Sequence, residues 1–225
     1  MAETNPKPTL SSLLHTLLPT VDLTNPPPHP THSSLTPTIS SLLLHPTLEA
    51  ALHLLNADLP SAHFLVRHMQ APPAIEGMLL HSILHRSEGD MSNARAWASD
   101  TVDASDGWVP KRRGRQRLDF GTVQAMKGKV AGGVRFAEFV HGGDKAGVGR
   151  LVDDVERWRK DNGAGEEEEL AGRIRGELER VVEWCRGKFG EGGWTDASVA
   201  WVEHGEEVRK MGEDMVSGEK GFRDF

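Results

Sequence analysis

"LEAALHLLNADLPSAHFL", residues 48–65, and "LHSILHRSEGDMSNARAW", residues 80–97, decide the fold. At an offset of 32 residues, Leu48 falls on Leu80, Leu52 on Leu84, His53 on His85, Asp58 on Asp90, and Ala62 on Ala94. In each copy apolar residues recur at helical spacing, a polar turn follows, and a second helix begins. Asp58 and Asp90 stand where an N-cap is needed. A small Ala near the start of each second helix lets the paired helices approach closely.

Two helix–turn–helix copies at this period look like tetratricopeptide-type units, whose period is about 34 residues. The hairpins span 46–70 and 75–100. Outside them, leucines at 10, 13, 14, 17 and 18 predict a helical arm over residues 1–18. The prolines of 19–39 predict an irregular or disordered connector. From residue 40 onward a single all-α domain is expected, with C-terminal helices over 120–217. These carry stripes from Val123 to Ala137, Val148 to Trp158, Leu170 to Phe189 and Trp194 to Met215. No stretch alternates long enough to read as a strand.

The chain has 225 residues, a formal net charge of -7 and one cysteine, Cys185. The charge disfavours nucleic acid as the main ligand, and no apolar run has the length of a membrane span. A lone cysteine forms no internal disulfide and fits a reducing compartment, so a cytoplasmic location is expected. The start "MAETNPKPTL" lacks the pattern of a secretory signal. "KRRGRQR", Lys111 to Arg117, reads as a solvated loop, with nuclear import or anion binding as the alternative.

Histidine is the unusual component: six of the 11 lie between His45 and His85. Residues three and four apart share a helix face, so His81, His85 and Glu88 project together. The matching face of the first copy carries Glu49, His53 and Asn56. Stacking the copies predicts one groove lined by Glu49, His53, His81, His85 and Glu88, joined by His63 or His68. Imidazoles and carboxylates converging in this way suit a divalent transition metal such as zinc, iron or manganese. The expected ligands are His81, His85, His53 and Glu49. Glu88 is a further ligand or a general base, with His63, Arg86 and Asp58 as the other catalytic candidates. Ser82 stands where zinc proteases of the two-histidine helix type carry their glutamate, so proteolysis is not implied.

The stretches "NADLPSAH", from Asn56, and "HSILHRSEGDMSNARAW", from His81, also resemble a little-described family of fungal and bacterial proteins. Its pattern is N-x-D-L-x-x-A-H followed by H-x-I-x-H-R-x-E-x-D-x-x-N-A-x-x-W. The resemblance implies importance for Asp58, His63, His81, His85, Arg86, Glu88 and Asn93, and implies no particular reaction. Three functions stay open at this point. One is a metal-dependent hydrolase, lyase or isomerase acting on a small molecule. Another is metal-free acid–base chemistry carried by His63 and His85. The third is a protein-interaction module without catalysis.

Overall fold

A computed structural model of the chain describes residues 8–129, 131–163, 165 and 167–202. These residues are all helical in architecture, with no strand among them. The order is α1 (Leu10–Leu17), a 3₁₀ turn (Ser33–Leu35), α2 (Thr36–Ser41), α3 (Pro46–Leu55), α4 (Leu59–Val66), α5 (Ile75–Glu88) and α6 (Met91–Ser105). Then come α7 (Phe120–Ala125), a 3₁₀ turn (Ala131–Gly133), α8 (Phe136–Val140), α9 (Gly147–Lys160), α10 (Glu167–Phe189) and a last 3₁₀ turn (Ala197–Ala200). No helix among the described residues is long and apolar enough to cross a membrane.

The two hairpins form as their turn chemistry dictates. Asp58 accepts from the Ser61 N–H at 3.3 Å and starts α4, while Pro60 takes a first-turn place where no N–H is needed. Asp90 accepts from the Asn93 N–H at 3.0 Å and starts α6. Gly89 ends α5 with φ 91°, a conformation that costs a side-chain-bearing residue energy. α5 is buried on nearly every side, and it packs against α3, α4 and α6. α10 lies against α3, α8 and α9, and both α8 and α9 reach α6.

Several expectations need correction. The arm and connector are not separate from the domain: Leu10, Leu13, Leu17, Val21 and Leu23 all join the one buried apolar cluster. Asn56 ties the connector down, accepting from the His32 N–H at 2.9 Å and donating to its carbonyl at 3.1 Å. The single helix expected from Val123 to Ala137 is broken into α7, a 3₁₀ turn and α8. Gly132 and Gly133 adopt φ of 87° and 64° there. Gly128 lets the chain touch the Trp184 ring so closely that a Cβ would sit 2.7 Å from it. Of the helix expected from Trp194 to Met215, the described part is a 3₁₀ turn, and residues 203–217 lie outside the described residues. The basic loop, in contrast, is exposed from Lys111 to Arg117 as expected of a solvated loop, though Arg113 pairs with Asp103 and Asp106 and the Arg117 guanidinium lies 3.5 Å over the Trp108 ring.

The interior also holds charge. Arg86 on α5 and Glu177 on α10, each 1% exposed, form a buried pair through both guanidinium tips. His141 at the end of α8 stands 3.4 Å from the same carboxylate. Burial alone would raise the Glu177 carboxyl, but Arg86 and His141 outweigh it and hold it down at about 2. Arg159 closes the C-terminal end of α5 by donating to the carbonyls of Arg86 and Ser87 at 3.0 Å each, and to Thr24 of the connector at 2.8 Å.

A carboxylate depressed in the folded state binds fewer protons than in the unfolded chain, so its stabilisation is complete above the ordinary glutamate range. That contribution should be lost as pH falls from about 4.5 towards 2. Urea midpoints measured across this window should fall steeply for the wild type. Glu177→Gln should be less stable at pH 7 by about 3–5 kcal/mol, because it leaves Arg86 buried and unpaired, and its acid slope should be shallower.

Candidate metal centre

α5 carries His81 and His85 one turn apart, on the side facing α4. The His81 ring is sandwiched: the Trp97 indole of α6 lies parallel to one face at 4.4 Å and His85 to the other at 4.8 Å. His63, projecting from α4, meets both edge-on, with ring centroids 5.4 and 5.7 Å away. One ring nitrogen from each of the three histidines falls within 4.8 Å of the other two, and no other histidine, cysteine or acidic residue among those described completes such a group with them. The scaffold explains the convergence. Asp58 fixes the start of α4 one turn before His63, and the α4–α5 contact brings that turn against the His81 stripe.

The electrostatics favour neutral rings at His81 and His63. Burial, reinforced by His85 and His63, pushes His81 down to about 3, and His81 is 2% exposed. Burial also lowers His63, with Glu88 opposing the shift and His85 and Arg67 adding to it. Nδ1 of His81 is buried and has no hydrogen-bond partner among the described residues. A neutral imidazole with an unused lone pair is the state in which histidine binds a metal. Around a tetrahedral ion with nitrogen distances of about 2.0–2.1 Å, ligand nitrogens stand roughly 3.3 Å apart, so an ion would draw the nitrogens together and turn the stacked His81 and His85 rings out of parallel to aim at one point. Glu88, exposed at the end of α5, places Oε2 3.3 Å from His85 Nδ1. The two groups are close neighbours without a hydrogen bond between them.

The single groove expected from the sequence resolves into separate places. His63, His81, His85 and Glu88 come together. Glu49, His53 and Asp58 form another cluster, in which the 1%-exposed His53 bridges two carboxylates. Its Nδ1 is 3.2 Å from Asp58 and its Nε2 3.7 Å from Glu49. The two carboxylates stand at opposite edges of the ring, so the three residues do not converge on one point, and Glu49 and His53 lie apart from the three-histidine group the sequence joined them to. Asp58 belongs to that network and also accepts from Thr36 Oγ1 at 2.7 Å. Burial opposes its ionisation, but the Thr36 and Ser61 donors and nearby His53 keep its carboxyl below the usual range.

Arg86 is likewise corrected. It points away from the histidines into the Glu177 pair, because one residue step turns a helix by about 100°. It is therefore not placed to orient a substrate. His68 stacks on Trp201 at 4.9 Å, and Asn93 donates to Asp90 at 2.6 Å and braces the turn. Sequence reasoning passed over Glu177 and Glu76. The signal was present in both cases: each carboxylate interrupts a run otherwise made of buried apolar positions. Scans against protein families, curated proteins and solved structures return no match for this chain.

Asp58→Ala removes the α4 cap, the Thr36 bond and the His53 contact together, and should cost about 2–3 kcal/mol in chemical denaturation. Asp58→Asn keeps a capping oxygen and should recover at least half of that loss.

Proposed function

We propose that this protein binds a divalent transition metal through His63, His81 and His85, and uses it on a small-molecule substrate. One observation carries the reading: three imidazoles meet within 4.8 Å, and the innermost has a buried nitrogen without a partner among the described residues. Three protein ligands leave a coordination position open, as in catalytic rather than closed structural sites. An ion held there supplies Lewis acidity and an activated water near neutral pH. Glu88 has two roles in this reading. Its carboxylate stands close enough to His85 Nδ1 to accept a hydrogen bond once that ring turns Nε2 towards an ion, and its exposed oxygen accepts a proton from the reacting species. Metal-assisted hydrolysis, or proton abstraction leading to elimination or isomerisation, matches this set of groups.

The substrate side in this reading is a cavity of about 560 Å³ walled by Leu59, Pro60 and the connector prolines Pro26, Pro27, Pro28 and Pro30, which Glu88 lines and the three histidines do not. The connector thus becomes part of the binding site. A metal-free acid–base centre draws on the same residues and is separated from the metal reading by chelation.

A protein-interaction module is the second reading, favoured by the parallel between the hairpins. Asp58 and Asp90 have nearly the same backbone conformation, φ −85°, ψ 72° and φ −83°, ψ 75°, and the same capping role. A tetratricopeptide-like relation between the hairpins belongs to this proposal.

The test uses full-length protein purified without an affinity tag, stripped with chelator and titrated with Zn²⁺ against a competing indicator. One equivalent should bind tightly. The His81→Ala/His85→Ala variant should lose at least 100-fold in affinity while keeping its far-ultraviolet dichroism. Equal affinity in the variant, or no stoichiometric binding by the wild type, would sink the reading.

A further inference from the structure

A second cavity lies at the C-terminal end of α10 and shares no residue with the histidine cluster. Its volume is about 310 Å³, at the lower end of small-molecule sites, which run from roughly 300 to 1,000 Å³. One end is polar. Glu76 of α5, 1% exposed, accepts from Trp184 Nε1 and from Lys188 Nζ, each at 2.7 Å. His45, 5% exposed, accepts from the Thr47 N–H through Nδ1 at 3.3 Å, which puts the ring proton on Nε2. That Nε2 has no partner among the described residues. Burial and the nearby Lys188 hold His45 down to about 4, so the ring is neutral.

The rest of the wall is apolar. Phe189 stacks on His45 with ring centroids 3.5 Å apart. The segment that follows α10 returns over the opening, bonded from the Trp194 N–H to the Leu43 carbonyl and from the Val202 N–H to the His68 carbonyl at 2.9 Å. It places Val199 and Trp201, 61% and 48% exposed, at the mouth. Exposed apolar side chains at the mouth of a part-polar cavity are what a bound apolar molecule would cover.

The charges decide what fits. Lys188 and Glu76 cancel, and His45 is uncharged, so a ligand bringing a net charge would be buried without a counter-ion. The groups still offering a bond are two donors, His45 Nε2–H and the remaining hydrogens of the Lys188 ammonium, and one buried acceptor, Glu76 Oε2, which has no partner among the described residues. We propose that this cavity binds an uncharged, largely apolar molecule of about ten to fifteen heavy atoms, whose carbonyl-type oxygen accepts from His45 and Lys188.

The probes are phenylacetamide, phenylacetate and phenethylamine, which share one ring and differ in head-group charge. Binding to the full chain is followed by tryptophan fluorescence and saturation-transfer NMR. Phenylacetamide should bind saturably, at least tenfold more tightly than either charged analogue. Ala125, exposed on α7 and lining the cavity, is the place to obstruct it. Ala125→Phe should weaken phenylacetamide tenfold or more with the melting midpoint unchanged. His45→Asn retains a good N-cap for α3 and, by removing the ring donor, should weaken phenylacetamide severalfold. Comparable binding of all three probes, preference for a charged one, or no saturable binding overturns the proposal. A loss below tenfold in Ala125→Phe does so too.

Discussion

A buried ion pair sets the orientation of the central helix. Arg86 and Glu177 have left water almost completely, which is tolerable only while each faces the other. With Arg86 turned towards α10, positions 81, 85 and 88 must lie about 100–160° further round α5 and look towards α4. His141 adds to the grip from α8, and Arg159 holds the two carbonyls at the end of the same helix. The histidine cluster is thus a consequence of rotation fixed elsewhere. Residues that never approach a ligand decide which way His81 and His85 point.

The same constraint shapes the chemistry available. Trp97 and the helices around it keep water from His81, and exclusion of water is what keeps that ring neutral. His63 and His85 are more open, and Glu88 lies at the edge in contact with solvent. The cluster therefore grades from a dry imidazole at the back to an exposed carboxylate at the front.

Much of this was legible in the sequence where the signal was local. Asp58, Asp90 and Gly89 marked the helix ends of both hairpins, and the i, i+4 spacing put His81 and His85 on one face. What was not legible depended on distant partners. Nothing near the connector prolines announces that Asn56 binds residue 32, so those residues read as loose. His53 aligns with His85 in the offset, yet Glu49 and Asp58 claim both of its nitrogens. Glycines 128, 132 and 133 lowered helical propensity, but only the packed Trp184 ring shows why the chain breaks between α7 and α8. Arg86 seemed to belong with its neighbour His85, because a motif read along the chain does not show which side of the helix each member takes.

The most direct measurement is the zinc K-edge X-ray absorption fine structure of the full chain loaded with one equivalent of Zn²⁺. The account predicts three imidazole nitrogens at about 2.0–2.1 Å, with the multiple scattering characteristic of histidine rings, and a further light-atom ligand. A spectrum of oxygen ligands alone, or of fewer than two imidazoles, would contradict it and return the three histidines to the role of packed aromatic rings.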